Sequence, residues 1–75
     1  VTALDLTVAR AEALFASTLS AAEPHDRAVL DAAIAAAVRA EHGVKGCAAV
    51  MAEAFGEHPQ QAAERMRWAR AAVTS

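Results

Sequence analysis

The chain has 75 residues, 56% of them hydrophobic and 21% charged, with a formal net charge of -2. That length admits one domain and no more, and so small a charge excludes a strong overall field that would draw in or repel nucleic acid. Cys47 is the single cysteine, which excludes an intrachain disulfide.

Much of the apolar share is alanine, which buries little area per residue and makes for a thin core. A domain of this size without disulfide or metal has roughly 3–5 kcal/mol of stability, so self-association is expected to supply part of what the core lacks. Charge is unevenly placed. Three arginines against six acids give -3 from Val1 to His42, and four bases against three acids give +1 from Gly43 onward. Asp5, Arg10 and Glu12 interrupt the first stretch, so it does not read as an export signal. No apolar run approaches the roughly 18–20 residues of a membrane span. A cytoplasmic protein is expected.

In chain order, the periodicity predicts a first helix over about Thr2 to Ser20. Leu4, Val8, Ala11, Phe15 and Leu19 share its core face, and Leu6, Ala9, Ala13 and Ala16 form a second stripe of small apolar residues. A helix that covers a core from one side normally carries charge opposite its apolar face. That second stripe is therefore a candidate partner surface, with a homodimer as the expected assembly.

The second helix is expected to open at Pro24, with Asp26 in its first turn, Leu30, Ala33, Ile34, Ala37 and Val38 buried, and Gly43 as its left-handed stop. The segment GVKG, Gly43 to Gly46, then reads as a tight turn. A short third helix over about Cys47 to Phe55 carries one charge, Glu53, and so belongs in the middle of a bundle. Gly56 is expected to end it, and Pro59 to open a fourth helix reaching about Val73.

Cys47 to Arg70 reads CAAVMAEAFGEHPQQAAERMRWAR: a short helix, a turn of Gly56, Glu57 and His58, and a longer helix. This layout resembles the helix-turn-helix family, with Ala52, four residues before Gly56, where that family favours a small residue for close helix approach, and with Met51 and Phe55 also fitting. It departs from the family's pattern at Glu57 and Arg65, where apolar residues are usual. The resemblance implies that the fourth helix enters the major groove, with Gln60, Gln61 and Glu64 near base edges and Arg65, Arg67 and Arg70 on phosphates. At 100° per residue, however, Arg67 and Arg70 point to one side of the face Ala62, Met66, Ala69 and Val73, and Arg65 to the other, so no focused basic stripe forms. Trp68 lies off that inward face and close to Arg65. Either the buried face is broader than the line and Arg65 snorkels or pairs with another helix, or Arg65 and Trp68 form an exposed anchor for a partner.

His25, His42, His58 and Cys47 match no zinc spacing, and no metal site or cofactor is expected. Cys47 opens an apolar helix with no His–carboxylate pair aimed at it, and reads as a buried residue with no catalytic role. As a whole the chain resembles the short uncharacterised helical proteins of high-GC bacteria, a likeness that implies no activity. The expectation is a compact all-α four-helix domain, with helices two to four forming a trihelical unit and helix one packed across it. The leading functional expectation is a non-enzymatic, self-associating protein-interaction or assembly module; the alternative is a small helix-turn-helix DNA-binding regulator.

Overall fold

The structure, a computed structural model, describes the backbone of residues 3–75 and the side chains of residues 6–75. The helices are α1 (Ala3–Ala16), α2 (Arg27–Ala40), α3 (Val44–Glu57) and α4 (Pro59–Thr74), and no strand occurs among the described residues. The fold is all-α, as the periodicity requires. The radius of gyration of 11.3 Å equals the value of about 11 Å expected for a compact chain of this length.

The arrangement differs from a trihelical unit with helix one laid across it. Here α1 is the hub: it packs against each of the other three helices, while α2 leans chiefly on α1 and only slightly on α3. Ala11, Ala13, Leu14 and Phe15 are all buried, Leu14 completely. At 100° per residue those four positions point round more than half of the helix circumference, so the second half of α1 is enclosed on most sides, with Glu12 on the arc left open. Its first half is not surrounded. Val8, expected in the core, is 48% exposed, and the side chain of Leu4 and the expected start at Thr2 lie outside the described residues. Leu19 follows the helix in the loop and is half-buried against the core.

Each helix boundary has a local cause. α1 stops at Ala16, short of the expected Ser20, where the Ser17 hydroxyl turns back to donate to the Leu14 carbonyl at 2.6 Å. Pro24 lies in the loop rather than at a helix start. The start belongs to Asp26, whose carboxylate accepts from the Val29 amide at 2.9 Å and so satisfies one of the free donors of the first turn. Leu30, Ile34 and Ala37 are buried as the periodicity requires, with Ala33 and Val38 half-buried beside them.

α2 ends in a Schellman turn, in which the Gly43 amide donates to Val38 at 2.8 Å and the His42 amide to Arg39 at 3.3 Å. The left-handed residue is His42, with φ 63°, one position before the expected Gly43. Gly43 takes φ 121° and ψ 179°, a region open to glycine alone. α3 begins at Val44, so most of the GVKG segment is helix rather than turn. Gly46 makes that early start feasible: a Cβ there would land on the carbonyl oxygen of Glu41.

α3 runs through Gly56 to Glu57, two residues beyond its expected end. The residue before a proline is sterically kept out of the right-handed helical region, and His58, before Pro59, has φ -140° and ψ 73°. Its amide closes α3 on the Ala54 carbonyl at 2.8 Å, and its own carbonyl receives the Ala62 amide at 2.9 Å. One residue therefore serves as the end of α3 and the start of α4. The expected three-residue turn of Gly56, Glu57 and His58 is absent.

Two substitutions test these backbone assignments by urea denaturation. His42→Gly removes the left-handed strain and should raise stability by about 1 kcal/mol, whereas Gly46→Ala should lower it by roughly 1–3 kcal/mol by forcing α3 away from Glu41.

Candidate functional site

Arg65, half-buried on α4, reaches across to the chain where it leaves α1. Its Nε donates to the Phe15 carbonyl at 2.8 Å, and its Nη2 donates to the carbonyls of Ser17 at 2.9 Å and Leu19 at 3.0 Å, with a longer contact to Leu14 at 3.5 Å. The last carbonyls of a helix have no partner within the helix, and a cation there also meets the negative end of the helix dipole. The guanidinium lies 4.8 Å from the Trp68 ring centroid and 5.8 Å from that of Phe15. Phe15 in turn stacks on Phe55 at 6.2 Å. All three aromatic residues of the chain thus line up with one arginine, tying α1, α3 and α4 together. Burial lowers the Arg65 pKa, the mark of a charge partly withdrawn from water.

Arg65 and Trp68 are both half-buried and packed against each other. Arg65 is neither a free phosphate contact nor an exposed partner anchor, and its partners are backbone carbonyls rather than an acidic side chain. The other residues of the nucleic-acid set, Gln60, Gln61, Glu64, Arg67 and Arg70, are exposed along α4. Ala52, the small residue of the helix-turn-helix resemblance, is exposed rather than set at a close helix approach.

The second stripe of α1 divides. Leu6 is 61% exposed and Ala13 1%, with Ala9 and Ala16 half-buried. Arg10, one turn before Ala13, forms an ion pair with Asp31 of α2 at 2.6 Å, so this side of α1 is turned towards α2. The stripe is occupied in its second half by the chain's own helix and is not a continuous external face.

An open apolar surface lies elsewhere. A groove of about 490 Å³ runs between α1, α3 and α4, lined by Thr7, Val8, Ala11, Glu12, Met51, Phe55, Met66, Arg70 and Thr74. Its floor is Ala11 with the half-buried Met51, Phe55 and Met66. Val8 and Glu12 belong to the α1 wall, and Arg70 to the α4 wall. The helical spacing distributed these residues among a core face, edge charges and an inward face. It held no sign that they line one opening.

Cys47 is fully buried and outside the groove. Burial first, then the carboxylates of Glu41 and Glu12, push its thiol pKa up. Among the described residues no three His, Cys, Asp or Glu side chains are grouped to hold a metal ion, and no helix is long and apolar enough to cross a membrane. Comparison with protein-family models, curated proteins and solved structures gives no match.

Arg65→Met should cost about 2–3 kcal/mol, since it leaves carbonyls of the α1 terminus without their charged donor, and Arg65→Lys should recover less than half because an ammonium lacks the fork. Thermal melting of the three proteins checks the order. Cys47 should react slowly with thiol reagents in the native state. Because its folded pKa is raised, stability should fall as pH climbs through the ordinary thiol range, and Cys47→Ala should lack that slope in alkaline denaturation curves.

Proposed function

We propose that the protein is a non-enzymatic interaction module that self-associates through the groove between α1, α3 and α4. The observation that carries this reading is Val8, 48% exposed on the wall of an open groove floored by Met51, Phe55 and Met66. Apolar side chains on such a concave surface gain by being covered, and methionine side chains adapt to the shape of what covers them. Covering the groove adds stability by mass action to a small chain in which half of the buried core residues are alanine.

Binding rather than chemistry is supported by the groove's composition. Its polar residues are Thr7, Glu12, Arg70 and Thr74, with no Cys–His or Ser–His pair among its lining residues. The nucleic-acid reading has less behind it. Arg65 is engaged with carbonyls at and just beyond the end of α1, and a single residue, His58, stands where that family has a turn of about three or four residues.

Sedimentation up to about 1 mM chain, where even a contact of roughly 4 kcal/mol is half-occupied, should reveal a concentration-dependent dimer. Val8→Glu should shift it to monomer without loss of helical signal. A parent protein that stays monomeric throughout that range would falsify the reading.

A further inference from the structure

The groove carries one acid on its α1 wall, Glu12, and one base on its α4 wall, Arg70. Among the described residues the ion pair is Arg10 with Asp31, so neither rim charge has an ion-pair partner among them. We propose that two copies join groove to groove about a twofold axis running along the groove, with Glu12 of each copy facing Arg70 of the other. The proposal rests on the self-association reading and adds the orientation to it.

The orientation follows from symmetry and charge. A second copy turned over about an axis along the groove brings its α4 wall above the first copy's α1 wall, and acid meets base twice. Turned about an axis across the groove, it brings α1 above α1 and α4 above α4, so that Glu12 meets Glu12 and Arg70 meets Arg70. Like-charge juxtaposition across an interface is strongly unfavourable, whereas opposite charges fix register. In the favoured arrangement the contact is isologous, the same patch serving both copies. The apolar floors of Met51, Phe55 and Met66 then face each other, screened from water by the joined walls. An apolar small molecule or a foreign helix could use the same floor, but neither occupant couples Glu12 of one molecule to Arg70 of another.

The experiment is a charge exchange followed by sedimentation velocity. Glu12→Arg alone and Arg70→Glu alone should each weaken self-association by roughly tenfold or more. The double exchange should restore it, and mixing the two single variants should yield a heterodimer, because every facing pair in the mixture is again opposite in sign. Single variants that associate like the parent overturn the orientation while leaving self-association in place. Variants that weaken but do not complement on mixing overturn it equally. A parent that is monomeric at about 1 mM removes both this proposal and the reading beneath it. Should circular dichroism show that an exchange variant has lost its fold, Glu12→Gln and Arg70→Gln replace it. Each deletes the same symmetric pairs, so their combination should cost no more than either alone, and additive costs overturn the proposal.

Discussion

One guanidinium holds the open end of a helix. α1 ends in carbonyls that its own turns do not satisfy, and Arg65 of α4 reaches that of Phe15 together with those of Ser17 and Leu19 in the loop beyond, all within 3.0 Å. Hydrogen bonds from a charged donor are about twice as strong as neutral ones. This set also closes the loop that leaves α1, fixing where the chain turns towards α2. The same group lies against Trp68 and Phe15, so the polar cap and the largest apolar side chains form one unit.

The rest of the bundle follows from that clamp together with an alanine-rich core. Ala11, Ala13, Ala37, Ala62 and Ala69 are buried; small side chains let helices approach closely, and the few large ones gather where they fill space. Phe15, Phe55 and Trp68 occupy the end of the bundle near Arg65. Towards the first half of α1, Phe55 is the one ring that still borders the space between the helices. Met51 and Met66 line it without closing it. The groove is the counterpart of the clamp: one end is held by rings and carbonyl bonds, and the other is left open with Val8 at its edge.

Much of the fold was legible in the residues. Four helices, their order, the buried line Leu30, Ile34 and Ala37 of α2, and the start of α4 at Pro59 follow from periodicity and from proline's fixed geometry. The breaks were less legible because several residues in each linker can stop a helix. Gly56 has the composition of a stop, yet the pre-proline restriction on His58 is the stronger constraint, and Gly56 stays helical. Likewise the left-handed position after α2 falls on His42 rather than Gly43, since the Schellman bonds to Val38 and Arg39 set the register. The candidate site was scarcely legible: Val8 reads as core and Glu12 as a solvated edge until the crossing of α1, α3 and α4 places both on one opening.

The sequence by itself determined the local terms: which stretches are helical and which side of α2 is apolar. These depend on spacing within a few residues, where backbone geometry is nearly invariant. Only the tertiary structure decided that α1 is the hub, that Ala13 faces inward while Leu6 does not, and that Arg65 caps a helix ending about fifty positions earlier. A helical repeat gives the direction in which a side chain points along its own axis. What fills that direction is set by how four axes cross, and that depends on contacts between residues far apart in the chain.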